Sequence, residues 1–146
     1  MSSRAGIGGQ GVDREIRLWE PPAADRRPLT VADIRAVRAL IEKPGTFIHG
    51  RFNSPFLVEN PDDPILREWP RELWHQPAVS FCVTDAYMRA VRGRGGRVAQ
   101  AFIRAYIEAA HLSGEDLDWT VVLRHNDTHS QIEVLEVLDT MIANTQ

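Results

Sequence analysis

The sequence predicts a mainly α-helical fold, a small bundle of four or five helices together with one short β-hairpin. Two observations carry this prediction. Apolar residues recur every three or four positions in several separate segments, and residues that begin or end helices bound those segments. The alternative is an α+β fold, which requires residues 79–84 and 117–125 to be strands. At 146 residues and 43 % hydrophobic content, the chain fits one domain of ordinary composition.

The first 28 residues differ in composition from the rest of the chain. They are polar and rich in glycine and proline, so we expect residues 1–28 to form a disordered or partly docked N-terminal arm. Ile16, Leu18 and Trp19 give this arm one apolar anchor, which could dock on the domain or on another subunit. Residues 29–146 are predicted to form a single globular, helix-rich domain.

The first helix is predicted to begin after Thr30, a good N-cap residue with Asp33 three positions on, and to end at Pro44-Gly45. Residues 46–59 contain two short β-prone runs separated by turn-forming residues, which predicts a small hairpin. Residues 60–64 (Asn-Pro-Asp-Asp-Pro) are predicted to be a loop.

Residues 65–74 predict a short helix that is interrupted at Pro70. The most apolar segment follows. With Pro77 at a first-turn position, residues 78–91 predict a central helix, and a strand over 79–84 is the competing interpretation. A further helix is predicted over residues 98–112.

Residues 117–125 alternate between apolar and polar positions like a strand, yet Ser113 and Asp116 form a capping-box pattern that slightly favours a helix. The last helix is predicted to be capped by Asp127 or Thr128. Its apolar face comprises Ile132, Leu135, Leu138, Met141 and Ile142.

Composition also bounds the function. The net charge of −3 predicts no general affinity for nucleic acid. One cysteine, Cys82, excludes an intrachain disulfide and a four-cysteine zinc site, and its apolar neighbours predict a buried, unreactive thiol. We predict no metal and no cofactor. The chain contains no apolar run typical of a signal peptide or a membrane span, so we expect a cytoplasmic protein with no membrane partner.

An arginine-rich segment is the first candidate site. Residues 88–104 hold five arginines and no acidic residue, between two acidic stretches. Arginine forks match phosphate oxygens and glycines allow close approach of a backbone, which is one interpretation. The favoured interpretation is a loop whose arginines pair with the acidic helices. The candidate binding residues are Arg89, Arg92, Arg94 and Arg97.

The second candidate is the run Arg124-His125-Asn126-Asp127-Thr128-His129. An arginine followed by a polar residue, with a histidine five positions after the arginine, resembles the active-site motif of HEPN ribonucleases. Those are small helical bundles that dimerise and cleave RNA without metal. The resemblance implies that Arg124 holds the scissile phosphate, that His129 transfers a proton and that His125 fills the polar position. A polar, helix-capping loop is the alternative, and a metal site on His125 and His129 is disfavoured because no third ligand is visible nearby.

The third candidate is aromatic. Trp69 and Trp74 lie close together near an acidic loop, and with Trp19 they form a candidate interaction surface, although the first two could instead fill the core. The leading hypothesis is a non-enzymatic accessory or regulatory protein that acts by binding another macromolecule or by self-association. An RNA-cleaving enzyme using Arg124 and His129, and nucleic-acid or phosphate binding through residues 89–97, are the alternatives.

Overall fold

The structure is a computed structural model that describes residues 27–113 and 117–146. The predicted arm, with Trp19 and its apolar neighbours, lies outside the described residues except for its last two positions. Asp116 of the predicted capping box also lies outside them.

The fold-class prediction is confirmed, since the described residues form a mainly α-helical structure with a short antiparallel pair of strands. The helices are α1 (Val31–Ile41), α2 (Val83–Ala90), α3 (Gly96–Ala109), α4 (Trp119–Thr128) and α5 (Gln131–Thr145). The strands are β1 (Asn53–Ser54) and β2 (Ser80–Phe81). Two single-turn 3-10 helices, Pro64–Leu66 and Arg71–Leu73, lie on either side of Pro70, where the sequence predicts an interruption.

The core lies where the five helices meet. Helix α1 packs on α2 and α5, and α3 packs on α4 and α5. The largest fully buried side chains at this centre come from α1, α3 and α5, namely Ile34, Ile41, Phe102, Ile103, Tyr106, Leu138 and Met141. The rings of Tyr87, Phe102 and Trp119 contact one another at its edge.

Residues 117–125 contribute to a helix and not to a strand. Asp118 is the N-cap of α4, and its carboxylate accepts a hydrogen bond from the backbone N–H of Thr120 at 2.9 Å. The buried residues of α4 are Val122, His125 and Asn126, spaced three and four apart as one helical face requires. The alternation of apolar residues in this segment therefore did not indicate a strand.

Residues 78–91 combine both interpretations, because a strand at Ser80–Phe81 leads directly into α2. The prediction that the helix begins near Pro77 is wrong. Residues 79–82 pair with residues 52–54 instead. The N–H of Val79 donates to the carbonyl of Ser54 at 2.8 Å, and the N–H of Cys82 donates to the carbonyl of Phe52 at 2.9 Å. Cys82 is the N-cap of α2, with its Sγ 3.4 Å from the N–H of Asp85.

The strands come from more distant parts of the chain than the sequence predicts. Only Asn53–Ser54 of the predicted hairpin at 46–59 is a strand, and its partner is β2. Phe47 forms a parallel bridge to Phe81 on the other side of β2. Two other apolar residues of the segment, Ile48 and Val58, form a small second core with Leu66.

The last helix begins later than the sequence predicts. Helix α4 continues through Asp127 and Thr128, so neither residue caps α5. Ser130 is the cap: its hydroxyl accepts from the N–H of Glu133 at 3.2 Å, and the carboxylate of Glu133 accepts from the N–H of Ser130 at 2.8 Å. This reciprocal capping box satisfies two of the N–H groups at the start of α5.

Candidate functional site

The segment between α1 and α2, residues 42–82, is here called the loop layer. Among the described residues, seven large apolar side chains are exposed, and five of them lie in the loop layer. Their exposed fractions are 56 % for Phe52, 64 % for Leu57, 40 % for Ile65, 60 % for Trp74 and 38 % for Val79. Exposed apolar side chains concentrated in one segment are typical of an interaction surface.

The two tryptophans of the loop layer differ in their roles. Trp69 is half-buried within the layer, with the guanidinium carbon of Arg51 at 4.0 Å from its ring centre and Phe56 edge-on at 5.6 Å between ring centres. Trp74 is exposed, and its indole N–H donates to the carbonyl of Trp69 at 3.3 Å. Of the sequence-predicted pair, Trp69 therefore packs inside the layer and Trp74 is presented to solvent.

The polar run at the end of α4 holds the loop layer against the helices. Asn126 is fully buried, and its amide donates to the carbonyl of Ile48 at 3.0 Å. The carboxylate of Asp127 accepts a hydrogen bond from the N–H of Gly50 at 2.9 Å. The ring of His49 donates through Nε2 to the carbonyl of His129 at 2.7 Å. These bonds join segments that are about 80 residues apart in sequence, a structural role that the motif resemblance did not indicate.

His125 is a buried, neutral histidine. Burial, and secondarily the nearby His129, lower the pKa of its ring to about 4. Its Nδ1 lies 2.8 Å from the hydroxyl of Tyr106, and its ring stacks on that of His129 with 3.7 Å between ring centres. His125 is therefore a buried residue of the domain that contacts Tyr106 and His129.

Arg124 lies in the second half of α4, and His129 is the C-cap that follows this helix. Arg124 is exposed and forms no ion pair with the described residues. The Nδ1–H of His129, the residue that ends α4, donates to the carbonyl of His125 at 2.9 Å. His129 has φ and ψ angles of −129° and 156°, so the helical repeat that places Arg124 on α4 does not set the direction of the His129 side chain.

Arg94 and Arg89, two of the four candidate arginines, form ion pairs with acidic side chains of the helices. Arg94 is nearly buried, and its guanidinium donates to the carboxylate of Asp33 at 2.9 and 3.0 Å. Arg89 donates to the carboxylate of Asp85 at 2.7 Å and lies 5.1 Å from the ring centre of Phe81. Both contacts correspond to the favoured interpretation of the segment, in which its arginines pair with acidic residues of the helices.

The other two arginines lie at the surface. Arg92 and Arg97 are both exposed. Arg92 lines an open, largely apolar groove of about 290 Å³ between the end of α2 and the start of α3. Arg89 and Arg94 therefore form ion pairs within the protein, and Arg92 lies at the rim of a groove.

A second cavity, which the sequence does not predict, lies where the loop layer meets α4. It has a volume of about 460 Å³ and is lined by Gly50, Arg51, Phe52, Asn53, Leu123 and Asp127. Its polar groups are partly engaged: the amide of Asn53 donates to the carboxylate of Asp85 at 3.2 Å, and Asp127 holds the N–H of Gly50. The one signal in the sequence is the pair Asn126 and Asp127, two polar residues in an otherwise amphipathic α4, which hydrogen-bond the loop layer.

Within residues 27–113 and 117–146, no group of three or more His, Cys, Asp and Glu side chains is arranged to hold a metal ion. None of the helices in these ranges combines the length and apolar character that crossing a bilayer requires. Comparisons of the chain with protein-family models, curated proteins and solved structures return no match. The function is therefore inferred from the residues of this chain alone.

Proposed function

We propose that this protein is a non-enzymatic accessory or regulatory protein that binds another protein through its loop layer. The observation that carries the proposal is the concentration of exposed apolar side chains in residues 42–82, with Phe52, Leu57 and Trp74 each more than half exposed. Tryptophan and other aromatic residues supply much of the binding energy at protein interfaces.

Two further features support a protein partner. The loop layer is tied to α4 by the hydrogen bonds of Asn126 and Asp127, so its surface is held in place before binding and loses little conformational entropy on association. The loop layer contains six acidic and four basic residues, an acidic excess that disfavours binding to a phosphate backbone.

The test uses surface variants of the full chain. Phe52→Asp and Trp74→Asp each place a charge on the proposed surface, and Ile132→Asp is the matched control, because Ile132 is 69 % exposed on α5. Each tagged chain captures proteins from the source cell, and its mass is measured in the native state. We expect a defined partner, or a homo-oligomer, that the control retains and the two loop-layer variants lose.

Three outcomes contradict the proposal. One is a strictly monomeric chain without any captured partner. Another is a partner retained by both loop-layer variants, and the third is a partner lost equally in Ile132→Asp. Circular dichroism of each variant establishes that a lost partner reflects the surface and not unfolding.

A ribonuclease of the HEPN-like kind is the second candidate, supported by one feature of α4. Because the Nδ1–H of His129 donates to a carbonyl, the neutral ring carries its lone pair on Nε2, where it can accept a proton. Arg124 is exposed nearby and not engaged in an ion pair with the described residues.

Arg124→Ala tests this candidate, with Arg104→Ala as an equally exposed control of the same charge. The proteins are incubated with single-stranded RNA in the presence of a metal chelator. The nuclease hypothesis expects wild-type cleavage that Arg124→Ala lowers by about 100-fold, the loss typical of removing one charge-stabilising donor, while Arg104→Ala cleaves normally. No cleavage, or equal cleavage by all three proteins, excludes it.

A further inference from the structure

The groove between α2 and α3 is apolar and open to solvent. Tyr87 and Val91 form a buried floor, and Met88, 47 % exposed, forms one side. The opposite side is the turn that contains Gly93 and Gly95, whose φ angles of 80° and 82° favour glycine. A Cβ added at Gly93 would meet no atom within 4 Å, so the space beside this turn is empty among the described residues.

The same turn holds the start of the described chain. The Nη2 of Arg94 donates to the carbonyls of Arg27 and Pro28 at 2.8 and 3.0 Å, and its Nη1 donates to Asp33. Since Arg94 lies between the two glycines that line the groove, Arg27, the first described residue, lies close to the groove.

We propose that the apolar anchor of the N-terminal arm, Ile16, Leu18 and Trp19, occupies this groove in the same chain. The groove volume of about 290 Å³ accommodates one or two apolar side chains, so Trp19 with one apolar neighbour can fill it. From Trp19 to Arg27 the chain can span at most about 26 Å, at roughly 3.3 Å per residue, and Pro21 and Pro22 favour an extended path.

Charge complementarity supports the same occupant. Glu20 directly follows the anchor in sequence. Arg92 lies at the groove rim, is exposed and forms no ion pair with the described part of the chain. When the anchor lies in the groove, Glu20 is within reach of Arg92, and a carboxylate and a guanidinium attract each other there.

The experiment labels the full chain with 5-fluorotryptophan and records its fluorine NMR spectrum. The sequence has four tryptophans, and Trp19→Phe identifies the Trp19 resonance. We expect this resonance to lie away from the position of free 5-fluorotryptophan. Met88→Asp, which charges the groove wall, moves it to the free position, whereas Ile132→Asp on α5 leaves it unchanged. The other three resonances report whether each variant is folded.

A charge exchange gives an independent readout. Arg92→Glu shifts the Trp19 resonance toward the free position, and adding Glu20→Arg restores it. A Trp19 resonance at the free position in the wild type, or one insensitive to Met88→Asp, overturns the proposal. A Trp19 resonance that changes on dilution, together with a dimer mass, also overturns it, because the anchor then docks on a second copy.

Discussion

The side-chain oxygen of Asn126 accepts a hydrogen bond from the backbone N–H of Val83 at 2.9 Å, across the interface between α4 and α2. Val83 is the first residue of α2, where N–H groups have no partner within the helix. The amide nitrogen of the same side chain donates to the carbonyl of Ile48. One fully buried asparagine therefore joins α4, the start of α2 and the loop layer.

We expect Asn126→Ala to lower the free energy of unfolding by about 2–4 kcal/mol, because it leaves a buried N–H and a buried carbonyl without partners. Urea denaturation measures the change. Asn144→Ala is the control, since Asn144 is exposed on α5, and we expect a change within about 0.5 kcal/mol. A loss in Asn126→Ala no larger than that of the control would contradict the structural role.

The helices could be predicted where a periodic apolar face coincided with a strong cap. Thr30 with Asp33 shows this at α1, where both bonds of the capping box form. At α5 the apolar face predicts the helix, and the Ser130–Glu133 capping box marks its start, rather than the predicted caps Asp127 and Thr128. Local chemistry is therefore sufficient at both helices, and the incorrect start of α5 is an error of interpretation.

The strand pairing and the buried polar contacts could not be predicted in this way. The partner of Asn53 lies 28 residues further along, at Phe81, and a two-residue strand carries no periodicity. The roles of Asn126 and Arg94 depend on tertiary partners, Ile48 and Asp33, that no local pattern identifies. Residues that look like a catalytic or phosphate-binding motif can thus be required by the packing of distant segments.

The ion pair between Arg94 and Asp33 gives the second prediction. Both side chains are largely buried, with 10 % and 17 % exposed, and Asp33 also caps α1. We expect Arg94→Ala to destabilise the fold by about 2–3 kcal/mol, somewhat less than a fully buried pair, because Asp33 keeps its hydrogen bond from Thr30. Arg35→Ala, an exposed change on the same helix, serves as the control. Equal unfolding midpoints for the two variants would show that the Arg94–Asp33 ion pair does not stabilise the fold.

The thiol of Cys82 gives the third prediction. Burial raises its pKa to about 11, and the side chain is fully buried. At pH 8 we expect it to react with a disulfide reagent at least about 100-fold more slowly than an exposed cysteine, because both the thiolate and the access are missing. The comparison protein carries Cys82→Ser with Asn144→Cys. Similar labelling rates for the two proteins would show that the segment before α2 opens readily.

The fourth prediction concerns pH and His125. In the folded protein burial lowers the pKa of its ring to about 4 from the ordinary value of 6.5. The unfolded chain therefore binds a proton at a pH where the folded chain does not. The stabilisation is fully present above pH 6.5 and is lost as the pH falls from 6.5 toward 4, by about 3 kcal/mol in total.

Between pH 7.5 and pH 5, where most carboxylates stay ionised, we expect the wild type to lose about 2 kcal/mol of unfolding free energy through this ring. His125→Gln removes the titrating group, so its stability should vary less over the same interval, even though the variant is less stable at pH 7.5. His75→Gln is the control, because His75 is exposed, and it should follow the wild type. If the unfolding free energy of His125→Gln changes with pH as much as that of the wild type, a group other than His125 causes the acid sensitivity of the fold.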